Sequence, residues 1–502
     1  MSFSKVHSAQ ISFLKAHQID VEVDISRGLY NFSIVGLGDK AVDESKDRVS
    51  SAIKNSGFHS PKQKSEKVVV SLAPANSKKH GPLFDVAIAL GYLESVGEIE
   101  IENKDSNMFL GELALDGSLR KISGTLPLVK FAKEKGFKNI FVPKQNAKEA
   151  AVVDGINVYG AENLTEIISH TTGNDKIKKQ PVTKISKNSS KDFIDFSDIK
   201  GQLPAKRGLE IAAAGGHNIA LFGPPGTGKT LLSKAFAGIL PDMSFEEILE
   251  TTSIHSSAGV LRKSLLTERP FRTPHHSASY VAICGGGGSI KPGEVTLAHR
   301  GVLFLDEFPE FERKVIDSLR QPLEDGMICI SRASGSVCYP SSFILIATLN
   351  PCPCGYLGTD IKTCSCSRRQ IEKYQQKISG PIVDRIDMWI EVGQIPHRDL
   401  FDSHKHIPPA SPELKNKISE VHKIQRKRQD TFNSKLGPKD LETFCKLDSE
   451  SKEILSSAAN KLNLSARAFH KVIKLARTIA DLEKEKDIKS SHILEALQYR
   501  KK

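Results

Sequence analysis

Ten residues constrain this chain more than any others: Leu221-Phe222-Gly223-Pro224-Pro225-Gly226-Thr227-Gly228-Lys229-Thr230. An apolar run from Asn218 to Phe222 leads into G-x-x-x-x-G-K-T, and helix-forming residues follow from Leu231 to Ala235. The order predicts a strand, a loop and a helix N-terminus. A phosphate chain needs backbone N–H groups unobstructed by Cβ atoms, the partial positive charge of a helix start, and a mobile cation. Gly223, Gly226 and Gly228 supply the first, with Pro224, Pro225 and Thr227 completing the loop. The helix after Gly228 supplies the second and Lys229 the third. Thr230 places a hydroxyl where Mg²⁺ would sit. An ordinary Gly/Pro turn does not account for every fixed position being met in that context.

Two more apolar stretches end in polar groups. Val302 to Leu305 reads as a buried parallel strand and ends at Asp306-Glu307. Asp306 is expected to hold Mg²⁺, directly or through water, and Glu307 to orient and polarise the attacking water. Two acids could also open a helix as N-terminal charges. Phe343 to Leu349 is a third strand, ending at Asn350 before a proline.

Cys352-Pro353-Cys354 and Cys364-Ser365-Cys366 place four thiols within fifteen residues. Such a set suits a tetrahedral Zn²⁺, although C-x-C is tighter than the usual C-x₂₋₄-C. Unligated or redox-active thiols are the alternative. All eight cysteines lie between Cys284 and Cys445, which is not a secreted disulfide framework.

The net charge of +12 favours polyanionic partners, nucleic acid first, with solubility as the bland alternative. No apolar run reaches the ~18–20 residues needed to span a bilayer, so no membrane partner is expected. Residues 1–15 are polar and mixed, with no signal-peptide core, and a cytoplasmic location is expected. Residues 171–192 carry six lysines among small polar residues and read as a solvated linker, with nucleic-acid contact as the alternative.

Residues 1–170 alternate strand-like and helical patterns. Ser33-Ile34-Val35-Gly36-Leu37, Val69 to Ala75, Lys79-His80-Gly81-Pro82-Leu83-Phe84-Asp85 and Gly111 to Gly117 resemble the Lon-protease C-terminal fold, as reused in magnesium-chelatase-like ATPases. In the active proteases a nucleophilic serine follows the Gly-Pro pair. Here Leu83 stands there and has nothing to activate, so the resemblance implies a non-proteolytic domain.

Residues 193–392 resemble an AAA+ motor. The resemblance implies a sensor role for Asn350 at the γ-phosphate or the water. It also implies an arginine finger at Arg385, within Gly380-Pro381-Ile382-Val383-Asp384-Arg385-Ile386-Asp387, reaching a neighbouring subunit's nucleotide. Arginine suits that role because its planar fork stays charged and matches phosphate oxygens. A surface pair of Arg385 with Asp384 or Asp387 is the alternative. Two insertions, Phe271 to His299 and Pro322 to Pro340, resemble those of magnesium-chelatase ATPases and replicative helicases. The second reads as a hairpin. In a ring they would face the pore, making Arg332, Lys291, His275 and His276 candidate DNA contacts. Paired histidines could instead bind metal or fill a core.

Residues 393–502 read as a helical lid. Leu464 to Leu482 forms an amphipathic helix with Ser465 as N-cap and Val472, Leu475, Ala476 and Ile479 buried. Arg467, in its first turn, resembles the sensor 2 arginine that meets nucleotide phosphates.

Taken together the chain resembles the YifB/ComM-type, magnesium-chelatase-like AAA+ ATPases. The implied fold is an α/β P-loop core with a parallel sheet, preceded by a Lon-like α+β domain and followed by an all-helical lid. The implied assembly is a homo-hexamer that hydrolyses ATP with Mg²⁺. The implied activity is a helicase driving branch migration on single-stranded or branched DNA during natural transformation. A chelatase-type subunit for metal insertion into porphyrin would need a partner carrying an integrin-type metal-binding domain, which is lacking here, and no porphyrin is expected. A protein-remodelling ATPase is the third reading.

Overall fold

The computed structural model describes residues 3–12, 15–75, 78–183, 194–261, 265–287, 291–332, 335–359, 362–395 and 410–501. The chain forms two compact units: Met1–Lys187 with Phe245–Thr267, and Asn188–Ser244 with Glu268–Lys502.

The first unit has a four-stranded sheet in the order Phe3–Ser12, Lys15–Arg27, Glu66–Ala73, Asn31–Val35. The last pair is parallel and the others antiparallel. The helices Lys40–Asn55 and Asp85–Ser95 cover it, the second buried on nearly every side. Asp85 lies inside this core and is neutralised by Arg48, whose Nε donates to it at 2.8 Å. Burial pushes the Asp85 carboxyl up, against the pull of Arg48. A smaller parallel sheet runs Asn107–Phe109, Asn139–Pro143, Asn157–Ala161. Leu83 packs against the core around Met108 and Leu110, an apolar role consistent with its chemistry.

Three features of this unit were not expected. Phe3–Ser12 is a strand. The stretch after Thr171 is not free linker at first: Gln180 N–H donates to Val158 O at 2.9 Å and Thr183 N–H to Ala151 O at 2.9 Å. The remainder, 184–192, lies outside the described residues. The helix Phe245–Ser257, which lies between two motor segments in sequence, packs against the helix Thr125–Glu134. There the Ser256 hydroxyl accepts from Gly124 N–H at 2.9 Å and donates to Glu149 at 2.6 Å.

The second unit is built on a five-stranded sheet in the order Phe271–Arg272, Val302–Leu305, Ile344–Leu349, Ile219–Phe222, Met388–Glu391, all parallel. The central strands are Val/Ile/Leu-rich because helices cover both faces. The helices Leu203–Gly215 and Lys229–Ile239 pack there, and Ser411–Gln429 and Ala466–Leu482 add to the same core. The helical C-terminal region is therefore continuous with the sheet domain in one hydrophobic core. Ser465 caps Ala466–Leu482, accepting from Ala468 N–H at 3.2 Å, and Val472, Leu475, Ala476 and Ile479 are buried. Among the described residues no helix is long and apolar enough to cross a membrane.

Candidate functional site

The C-terminal ends of three neighbouring parallel strands gather the polar groups, the usual place for ligands in open α/β sheets. Ile219–Phe222 delivers the phosphate loop and Gly228 starts the helix Lys229–Ile239. Gly223 is required by a close approach, because a Cβ there would lie 2.2 Å from Val392 O. Lys229 Nζ donates to Gly223 O and Pro224 O, each at 2.7 Å, and to Asn350 Oδ1 at 3.2 Å. Burial holds this ammonium below the usual lysine value, with the Asp306 charge opposing. The Thr227 hydroxyl donates to Pro224 O at 2.9 Å and closes the loop. Thr230 Oγ1 donates to Asp306 Oδ2 at 3.0 Å, so the two groups expected at Mg²⁺ meet.

Thr348 was missed by the sequence reading. Its hydroxyl donates to Asp306 Oδ1 and accepts from Glu307 N–H at 3.1 Å, joining both acids to the Asn350 strand. The one signal was a hydroxyl in an otherwise apolar strand, two residues before Asn350. Glu307 itself has φ +51°, left-handed and unusual for a side-chain-bearing residue. Its half-exposed carboxylate lies 3.6 Å from His276 Nδ1.

Arg385 and Arg467 come together. Arg385 donates from Nε to Arg320 O at 3.1 Å, from Nη1 to Pro381 O at 2.8 Å, and from Nη2 to Glu324. Arg467 Nη2 donates to the other oxygen of Glu324. The two arginines hold the Glu324 carboxyl below its usual range despite some desolvation. The pairing of Arg385 with Asp384 or Asp387 does not form. Asp387 is buried and bonded to Lys471 Nζ at 2.8 Å and Asn218 N–H at 3.0 Å. Glu324 had no sequence signal, because its partners are 61 and 143 residues away.

The four cysteines converge. The sulfurs of Cys352, Cys354, Cys364 and Cys366 all lie within 4.8 Å of one another, with nearest separations of 3.4, 3.5 and 3.7 Å. A tetrahedral ion with Zn–S near 2.3 Å needs sulfurs about 3.8 Å apart, so the set fits a structural metal with no open position. The element sits against the phosphate loop. Gly355, at φ +84°, is placed so that a Cβ would lie 2.6 Å from Pro225 Cδ. Gly355→Ala is therefore expected to raise KM for ATP several-fold and to cost about 1–2 kcal/mol of stability. ATP titration and thermal melting check this.

The DNA candidates divide. Lys291 is exposed on a short strand, Lys291–Pro292, paired with Gly285–Gly286. The rings of His275 and His276 lie 4.1 Å apart, and Nδ1 of His275 meets Ser277 Oγ at 2.8 Å. Arg332 ends the first strand of the hairpin Met327–Arg332/Gly335–Pro340, and its side chain lies outside the described residues. The stretch before the hairpin is helical, Arg320–Asp325, rather than part of it. Cys329 and Cys338, directly opposed across the hairpin, form a disulfide that the sequence reading did not anticipate.

Residues 195–400 match the family "Magnesium chelatase, subunit ChlI", residues 21–146 "Subunit ChlI of Mg-chelatase", and residues 409–500 "Magnesium chelatase, subunit ChlI C-terminal". The chain is 42% identical to Competence protein ComM of Haemophilus influenzae, over all of this chain and 98% of that protein. It is 40% identical to the YifB protein of Escherichia coli, over all of this chain and 97% of that one. Similarity to the Magnesium-chelatase 38 kDa subunit of Rhodobacter capsulatus is 26% identity over 31% of this chain and 50% of that protein.

Proposed function

Because the chain belongs to the ComM/YifB-type, magnesium-chelatase-like AAA+ family, we propose that it is an ATP-hydrolysing ring motor, a homo-hexamer acting on DNA. The observation that carries this reading is the gathering of Lys229, Thr230, Asp306, Glu307 and Asn350 at the C-terminal ends of three neighbouring strands. Beside it stands the convergence of Arg385 and Arg467 on Glu324.

The P-loop N–H groups and Lys229 would bind the β- and γ-phosphates of ATP. Thr230 and Asp306 would hold Mg²⁺, which neutralises charge on those phosphates. Glu307 would orient water in line with the γ-phosphate, and Asn350 would report on that phosphate. Arg385 has its guanidinium pinned by three acceptors and Arg467 shares one of them. The two would act as a fork presented to the neighbouring protomer's nucleotide, so each site would be completed in trans. The four cysteines would hold Zn²⁺ and brace the phosphate loop through Gly355 and Pro225.

DNA is favoured as the cargo by the +12 net charge and by the full-length similarity to a protein named for competence. The specific activity proposed is branch migration during recombination of incoming DNA. The test is strand displacement on a forked substrate, expected with ATP and Mg²⁺ and abolished by Lys229→Ala with DNA binding retained. Displacement that persists in the Lys229 variant would contradict the reading.

A further inference from the structure

The hairpin Met327–Arg332/Gly335–Pro340 has two unlike faces. Ile328, Ile330, Val337 and Tyr339 are buried, and Cys329, Ser331, Ser336 and Cys338 alternate with them on the exposed side. The buried face is closely packed, and a Cβ on Gly285 would lie 2.9 Å from Ile330 Cδ1. On the exposed face the register sets Cys329 against Cys338 and Ser331 against Ser336. The first pair is the disulfide, and the second has its hydroxyl oxygens 2.9 Å apart. The bonded sulfurs therefore sit on the solvent side, while the side chains that anchor the hairpin point the other way.

The other cysteines are placed differently. Cys284 is buried with its sulfur 2.9 Å from Ser318 Oγ, and burial pushes its thiol up. Cys445 is also buried, and its thiol is pushed up to about 11. Buried thiols of this kind are inert. Cys352, Cys354, Cys364 and Cys366 face one another. Cys329 instead lines an open groove of about 440 Å³ that it shares with Tyr280, Lys314 and Ser331. Lys314 Nζ stands 5.0 Å from the centre of the Tyr280 ring. A thiol entering this groove meets the ammonium of Lys314, and a nearby cation favours the thiolate, which is the attacking form. Exposed disulfides are also the ones that exchange readily.

From this placement we infer that Cys329–Cys338 is a covalent modification site open to exchange with a dithiol, and that its state sets how firmly the hairpin presents its tip to a polyanion. The second half rests on the motor reading above. In the exchange a thiolate of the dithiol attacks Cys329 Sγ, and Cys338 leaves as a thiolate and takes up a proton. The second thiol of the reagent then displaces Cys329. Two electrons and two protons pass to the protein, and the reagent becomes a cyclic disulfide. The oxidised reagent drives the same steps backwards. The bond closes a ring through residues 329–338, with Arg332 inside it at the end of the first strand. A two-stranded ribbon is marginal in water. Closing the ring therefore removes freedom from the tip that binding would otherwise have to remove.

The experiment treats the full chain, first equilibrated with oxidised dithiothreitol, with the reduced reagent under native conditions. Alkylation and peptide mapping should then find Cys329 and Cys338 modified and Cys284 and Cys445 untouched. The Kd for a fluorescent single-stranded oligonucleotide should rise about fivefold on reduction, as expected for loss of one or two preordered side chains, and return on reoxidation. In the double variant Cys329→Ser/Cys338→Ser, Kd should sit at the reduced value and ignore dithiothreitol, which separates the hairpin from the four clustered cysteines. A bond that resists dithiothreitol in the folded protein overturns the exchange site. A Kd that stays put when the bond is cut, or a shift that persists in the double variant, overturns the coupling. A wild-type chain that binds no oligonucleotide in either state sinks the DNA reading and the coupling with it, while the mapping still decides the exchange site.

Discussion

Lys229→Ala is expected to reduce ATP turnover by about 10²–10³-fold, the usual cost of removing a preorganised electrostatic group from a transition state. ATP affinity should fall at least tenfold, because charge-assisted hydrogen bonds are worth roughly 1.5–3 kcal/mol each. The geometry explains why both quantities move. Lys229 Nζ bridges the phosphate loop and Asn350, so its loss removes a cation and unties the loop from the neighbouring strand. Glu307→Gln should behave differently. The amide keeps the shape and one acceptor but loses the charge. ATP binding should stay close to wild type while turnover drops by about 10²–10⁴-fold, the range for a general base. Nucleotide binding by a fluorescent analogue, set beside phosphate release, separates the two variants. Near-normal turnover in Glu307→Gln would remove Glu307 from the water-polarising role.

The second large effect concerns the arginine fork. Arg385→Ala should lower turnover by about 10³-fold or more, as loss of an arginine finger does, with little change in ATP affinity. Arg467→Ala should fall in the same direction. The shared partner Glu324 gives a sharper expectation. If both arginines serve a neighbour's nucleotide, mixing Arg467→Ala protomers with Lys229→Ala protomers restores activity. Some interfaces then combine an intact phosphate loop from the first variant with an intact fork from the second. If Arg467 instead serves its own protomer's nucleotide, no interface in the mixture is complete and no activity returns. The mixture of Arg385→Ala with Lys229→Ala provides the matching test for the finger.

The parts of this site that lie close in sequence were readable from it. The phosphate loop, the acid pair and Asn350 each sit at the end of an apolar strand, and hydrophobic pattern with local chemistry marks such positions. The parts that depend on tertiary meetings were not. Glu324 looks like any acid in a short helix until Arg385 and Arg467 are placed on it. Cys329 and Cys338 are nine residues apart, and only the hairpin register sets them opposite one another. His276 could be assigned to DNA, metal or core from sequence alone, and the pairing of the strand before it, Phe271–Arg272, with the acid strand brings its ring to 3.6 Å from Glu307.

The same reason explains the misread stretches of the fold. Phe3–Ser12 was passed over because its polar residues point inward. Ser4 donates to Gly91 O at 2.6 Å, Ser8 to Phe109 O at 2.8 Å and Gln10 to Lys78 O at 3.1 Å, so the expected apolar alternation is hidden. Phe245–Ser257 was assigned to the motor by its place in the sequence. Its buried Ile248 and Ile254 and the Ser256–Glu149 bond place it in the first unit instead. Burial pushes the Glu149 carboxyl up, against hydrogen bonds from Ser256 and Leu126.

The account stands most directly on ATP turnover measured with and without single-stranded and branched DNA, while light scattering follows the mass of the protein in Mg²⁺ and ATP. It predicts a hexameric species whose hydrolysis rises when DNA is added. A protein that stays monomeric at every concentration, with a rate indifferent to polynucleotides, would contradict it.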